Sequence, residues 1–228
     1  KSLVKNKPFL WVLAASLLTM LTSFIVMAVN TYLFKDYFGN AAALSIIGLV
    51  QMASMFITVP LVKPLVAKFG KKEISIVGMA FASVIYIALF FLKGIETMPF
   101  IGIVAIAMMS MSFYSFISYA FISDVIDYHE YLTSLREDAT VYSIVSMSRK
   151  IGQAVAGGIG GVAIAAVGYD ATVGTQPQEV LDGIYMLGTL VPGVLYAIVA
   201  VALFMYPLNK QKTIDLSKEL EAKRHANS

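Results

Sequence analysis

Two adjacent cations, Arg149 and Lys150, stand in a run that is otherwise uncharged from about Val141 to Gly168. At about 1.5 Å per residue, Lys150 would sit roughly 13–14 Å along such a helix, near the middle of a hydrocarbon layer about 30 Å thick. A cation at that depth needs a partner, which can be a carboxylate of another helix, a transported ligand or a coupled ion. Ser143, Ser146, Lys150, Gln153 and Gly157 follow one another at helical steps of three and four. They therefore share one face, a polar stripe that must meet protein or water because lipid offers it no partner. A purely structural ion pair at Lys150 is the competing reading. Arg149 points about 100° away, and we expect it to snorkel or to pair with a loop carboxylate such as Asp127 or Asp138.

A second charged set runs from Asp124 through Asp127, Glu130, Arg136 and Glu137 to Asp138. Asp124, Asp127 and Glu130 recur at three-residue steps, so they can share one helical face and meet basic residues of another segment. His129 lies among them without a second ligand of the usual spacing, and with His225 as the other histidine and no cysteine we expect no metal site and no disulfide. No Ser, His and acid can be argued to converge, so we expect no enzyme. Aromatic residues crowd one segment as Phe113, Tyr114, Phe116, Tyr119 and Phe121; most are expected to pack, but one facing a polar cavity could stack on a sugar.

The segments that must carry these groups follow from composition. Of 228 residues 58% are hydrophobic and 14% charged, against about 45–50% and about 25% in soluble domains. That excludes a soluble globular domain. The net charge is +3 without a basic, aromatic-interleaved cluster, so nucleic acid is not an expected partner. Long uncharged runs, rather than roughly ten-residue alternation, predict helices and exclude a membrane barrel. Six spans are expected, at about residues 8–34, 40–62, 74–92, 98–123, 141–168 and 183–207, followed by a polar tail at 210–228 that reads as a solvated extension. Thirteen Lys and Arg, including Lys1, Lys5 and Lys7, fall on one side and only Lys35 and Lys93 on the other. Both ends are therefore predicted to be cytoplasmic. Gly157-Gly158-Ile159-Gly160-Gly161 is expected to let a partner helix approach closely. The chain starts at Lys1 and reads as a fragment or a processed product.

Asp124-Val-Ile-Asp-Tyr-His-Glu-Tyr, Thr133-Ser-Leu-Arg136 and Tyr142-Ser through Arg149-Lys150-Ile-Gly-Gln153 resemble the signature of the glycoside-pentoside-hexuronide:cation symporters of the major facilitator superfamily. Lys68-Phe-Gly-Lys71-Lys72 is similar to that family's basic loop. The likeness covers nearly the whole chain, as the C-terminal six helices of a twelve-helix all-α fold. Ser134 stands where the family usually has glycine.

The resemblance implies a secondary transporter of the bacterial inner membrane that moves a sugar with Na+ or H+ by alternating access. The cation would be held mainly by an N-terminal six-helix half. By matching position, Lys150 would lie near the sugar and cation, Ser146 would be a hydroxyl beside the sugar, and Arg136 with Asp124 would belong to the charge network of the inner gate. Ser115 falls near a family tryptophan, with Tyr114 as its neighbour. The Arg149-Lys150 pair would suit a carboxylate-bearing sugar; a neutral glycoside would need only hydrogen bonds from groups such as Ser146 and Gln153. Two other readings stand beside this one. A non-transporting scaffold or sensor would seal the polar stripe against other helices, and a lipid carrier would open an apolar cavity sideways to the bilayer.

Overall fold

The computed structural model describes Leu3 and residues 6–226. Lys1, Lys5 and the His225 side chain lie outside the described residues. Every regular element among the described residues is helical: α1 Lys7–Tyr32, α2 Ala43–Phe69, α3 Lys71–Phe91, α4 Thr97–Thr133, α5 Asp138–Ala166, α6 Gln178–Gly188, α7 Leu190–Met205 and α8 Lys210–Ala226. Five segments are long and apolar enough to cross a membrane, with α6 and α7 counting as one. The 29 residues of α5 are also long enough; Arg149 and Lys150 lower its hydropathy.

Helix boundaries depart from the predicted spans where charges end an apolar run without ending a helix. Lys63 and Lys68 lie inside α2, which continues to Phe69. With 37 residues, α4 is about 55 Å long, so its last ten or so residues project beyond the hydrocarbon. A π-helical turn, Leu33–Tyr37, prolongs α1. The last predicted span is broken at Thr189, whose Oγ1 donates to the Tyr185 carbonyl at 2.5 Å.

Neighbouring helices form an arc in the order α2, α4, α3, α7, α1, α5. Without a hydrophobic force between helices in lipid, small residues set how closely they approach. A Cβ at Gly193 would lie 2.7 Å from Ile87 Cγ1, and the Gly193 carbonyl accepts from Ser83 Oγ at 2.7 Å, which seats α7 on α3. Gly152 and Gly160 do the same for α5 on α1: a Cβ would meet the Leu17 carbonyl at 3.0 Å or Ala28 Cβ at 2.8 Å. Within the glycine cluster only Gly160 makes such an approach; Gly157, Gly158 and Gly161 have open space beside them.

The two chain ends share one end of the bundle. Asn6 Nδ2 donates to the Val125 carbonyl at 3.3 Å, and Arg224 binds Glu130. Between α2 and α3, Gly70 adopts φ +103°, a region costly for a residue with a Cβ; Lys210 Nζ donates to the Ala67 carbonyl at 2.5 Å, closing the end of α2. At the opposite end Lys93 pairs with Asp182 at 2.7 Å, and Tyr37 stacks on Tyr185 with ring centroids 4.6 Å apart.

The tail is a docked helix rather than a solvated extension. Leu216 and Leu220 of α8 are buried, Lys223 lies over the Tyr131 ring at 4.1 Å, and Arg224 reaches Glu130 at 2.6 Å. The helix lies against α4.

Candidate transport cavity and charge network

The face of α5 that packs into the bundle carries Val141, Val145, Ser148, Gly152, Ala156, Gly160 and Ile164. The polar stripe lies beside it. Ser143, Ser146, Lys150 and Gly157 are exposed, whereas Gln153 is half-buried with Nε2 3.7 Å from Met20 Sδ. Lys150 and Ser146 make no polar contact with another side chain among the described residues, and Ser143 Oγ returns to the Ala139 carbonyl at 2.7 Å. The stripe is thus not sealed against this bundle's helices. These residues lie beside the packed face of α5, on its outer side.

Arg149 turns inward, contrary to the expectation that it snorkels or binds Asp127 or Asp138; both carboxylates are bound by Arg136, and Asp138 lies three turns away on the same helix. Its Nη2 donates to Ser118 Oγ at 3.1 Å, and its guanidinium lies 5.0 Å from the Tyr119 ring centroid. Around it Ser16, Thr19 and Met20 of α1 and Tyr114, Ser115, Ser118 and Tyr119 of α4 enclose about 210 Å³. Ser115 also lines a neighbouring cavity of about 560 Å³ with Ser23, Asn30, Gln51 and Ser112. The larger of the two volumes and the mixed linings suit a small polar ligand.

Tyr114 is buried and forms part of the cavity wall. Tyr119, one turn on from the serine at 115, supplies the exposed ring. Ser16 and Thr19 escaped sequence reading. They sit in an unbroken apolar run and spend hydroxyls locally or not at all: Thr19 Oγ1 donates to the Ala15 carbonyl at 2.7 Å, and Ser16 Oγ is buried without a partner.

The charged set at the end of α4 separates into two groups. Arg136 donates to Asp127 at 3.0 Å and Glu130 at 2.9 Å, both on α4, and to Asp138 at 2.9 Å in the first turn of α5. Arg224 of α8 adds bonds of 2.9 and 2.6 Å to Glu130. The hydrogen bonds from Arg224, and then those from Arg136, hold the Glu130 carboxyl below the usual range. Asp124 stands apart from this network, although the sequence grouped it there; it is buried and binds Lys71 of α3 at 2.5 Å. Burial pushes the Asp124 carboxyl up, and the Lys71 ammonium opposes that.

Between the two groups, His129 is buried with Nε2 3.0 Å from Glu137, too poorly aligned for a hydrogen bond. Among the described residues no cluster of His, Asp and Glu could hold a metal ion. Ser134, where glycine is usual, adopts φ +57° and caps α4 with its N–H on the Glu130 carbonyl at 2.8 Å. The left-handed turn is kept at a cost of about 1–2 kcal/mol that glycine would avoid.

The sequence is 28% identical over 98% of this chain to a glucuronide carrier protein homolog of Escherichia coli K12, covering 49% of that protein. It is 30% identical over 98% of the chain to a putative sulfoquinovose importer of Salmonella typhimurium LT2, covering 47% of that protein. A stretch of 104 residues, 46% of the chain, is 39% identical to the putative glycoside/cation symporter YagG of Escherichia coli K12, covering 23% of it. The chain spans about half the length of the curated relatives it matches over its whole extent. The chain is an all-helical bundle with long apolar helices, and its residues 1–210 match the MFS/sugar transport protein family: the chain belongs to it.

Proposed function

We propose that this chain is the C-terminal six-helix half of a secondary active transporter that moves a sugar together with Na+ or H+ by alternating access. The observation that carries the proposal is a cavity between α1, α4 and α5 with a cation, Arg149, flanked by hydroxyls and an exposed aromatic ring. Stacking on Tyr119 and hydrogen bonds to Ser115 or Ser118 would hold a sugar ring. Relatives named as a glucuronide carrier homolog and a glycoside/cation symporter support the same reading. Lys150 and the outward stripe would face an N-terminal half, which would also supply most of the coupling-ion ligands. A sealed scaffold is disfavoured because the stripe stays open. A lipid carrier would use the apolar cavity of about 530 Å³ lined by Val59, Val62, Val66, Phe116 and Ile117, whereas the cavity between α1, α4 and α5 carries polar groups.

The test uses the protein expressed from its complete gene and reconstituted into liposomes. Glycosides should accumulate when an inward Na+ or H+ gradient is applied and merely equilibrate without one. Equal uptake with and without either gradient would remove the symport reading.

Orientation follows from the basic residues at the end that bears both termini, which would be cytoplasmic. Single cysteines replacing Thr172 and Ser217, both exposed and at opposite ends of the bundle, should separate cleanly in intact cells. An impermeant thiol reagent should label position 172 and spare 217; labelling of 217 from outside would reverse the topology.

A further inference from the structure

We propose that His129 is a proton sensor: when the cytoplasmic side turns acid its imidazole takes up a proton, pairs with Glu137 and clasps the end of α4 to the start of α5, slowing transport; this rests on the transport function and orientation proposed above. The His129 side chain is 1% exposed, and neither ring nitrogen has a hydrogen-bond partner among the described residues. An imidazole always carries at least one N–H, so a donor is buried unfilled, at a cost in free energy that an aligned acceptor would remove. The acceptor at hand is Glu137, whose carboxylate oxygen lies 3.0 Å from Nε2 but out of line for a hydrogen bond. Histidine changes charge between about pH 5 and 8, and a carboxylate so close favours the charged form of a ring. While the ring is neutral the two groups merely touch. Once it is charged, both nitrogens donate and the contact becomes an ion pair that draws Glu137 into line.

The other charges around this end of α4 are already engaged. On α4 itself Asp124 is bound by Lys71 of α3, and Asp127 and Glu130 by Arg136, which also holds Asp138 of α5. From α8, Arg224 binds Glu130 and Lys223 lies over the Tyr131 ring, while Lys218, Glu219 and Glu221 are exposed. From the start of α1, the neutral Asn6 binds the Val125 carbonyl one turn before His129, and Lys7 is exposed. Glu137 makes no other ion pair among the described residues, and its side chain is 37% exposed, so it has room to swing toward the ring. Its position couples that swing to the helices: His129 lies one turn before Thr133, the last residue of α4, and the Glu137 carbonyl accepts from Val141 N in the first turns of α5 at 3.1 Å. Drawn in, Glu137 adds a second tie between α4 and α5 beside that of Arg136. A tie that needs the proton is present at acid pH and lost as the pH rises, which fixes the sign: acid on the cytoplasmic side restrains the junction.

The experiment uses the protein expressed from its complete gene, in right-side-out vesicles whose internal pH is set at about 8 or about 5.5 under one external pH. The probe is methyl β-glucuronide or methyl β-glucoside, whichever the protein carries. On going from the alkaline to the acid interior, entry through the wild type should slow roughly threefold or more beyond any slowing seen in His129→Gln and Glu137→Gln, and all three should run at similar rates with the alkaline interior. Every protein meets the same gradients, so a difference between them does not come from the driving force. Combining the two substitutions should change nothing further, because either one removes the pair. In the purified protein, NMR of isotope-labelled histidine rings should show the His129 ring, identified by its loss in His129→Gln, charged at the acid pH and neutral at the alkaline one. A wild-type pH response in Glu137→Gln, where the altered side chain is half-exposed, overturns the proposal even if His129→Gln fails to fold, and so does a His129 ring that stays neutral at the acid pH. A wild type that carries sugar without slowing at acid pH overturns the sensor and leaves transport standing; a protein that carries neither glycoside under any condition removes the transport function and the sensor with it.

Discussion

Lys150→Ala protein, expressed from the complete gene, should insert and purify at a yield close to wild type and yet lose concentrative sugar uptake, falling at least about tenfold to the level of passive equilibration. The yield follows from what Lys150 touches: it is exposed on the bundle and makes no ion pair among the described residues. Truncating it therefore removes no contact within these helices. The functional loss follows from where it lies. An ammonium roughly 13–14 Å into a membrane helix persists only with a partner, and on the outward stripe that partner must come from the other half, a coupling ion or a ligand.

Uptake and sugar binding by the folded variant decide the matter. A structural ion pair predicts the opposite pattern, a fall in folded yield with unchanged affinity and accumulation in whatever folds. Uptake equal to wild type in folded protein ends the assignment.

Arg136→Ala should slow transport by roughly tenfold while lowering stability by only about 1 kcal/mol. The small stability cost reflects a half-exposed guanidinium whose pairs are screened by water. The larger functional cost reflects geometry. Arg136 ties the end of α4 to the first turn of α5, and Glu130 passes the connection on to α8 through Arg224. Without it the end of α4 would lose its tie to the first turn of α5, and the two helices could move independently there. Initial uptake rate and thermal unfolding of the same preparation separate the two effects. A wild-type rate at matched expression removes the gate role, and a loss of several kcal/mol would show that the network is structural instead.

Much of the charge network could be read from the sequence, because it is local. Asp127, Glu130 and Arg136 lie within ten residues, and a helix of fixed pitch brings the first two onto one face whatever the rest of the chain does. Asp124 shares that face by spacing but is claimed by Lys71, 53 residues away, and no local rule contains that pairing. Docking of α8 was hidden for a related reason: Leu216 and Leu220 are two of the few apolar residues in a polar segment, and their burial depends on where the distant end of α4 lies. Arg149 was harder still. Its partners Ser118 and Tyr119 precede it by about thirty residues, in a segment whose serines look like those of any membrane helix.

The sequence by itself determined that the chain folds into long apolar helices able to cross a membrane, and that most of its basic residues fall in alternate connections. Those properties depend on transfer of side chains from water to hydrocarbon, which is summed along the chain without reference to neighbours. Only the tertiary structure decided which face of each helix turns inward. In water an apolar stripe is driven toward the core, but in lipid no such force acts between helices, so small residues and close backbone approach take over. Gly152, Ala156 and Gly160 therefore seat α5 on α1, and that single rotation carries Arg149 into the cavity and leaves Lys150 facing outward.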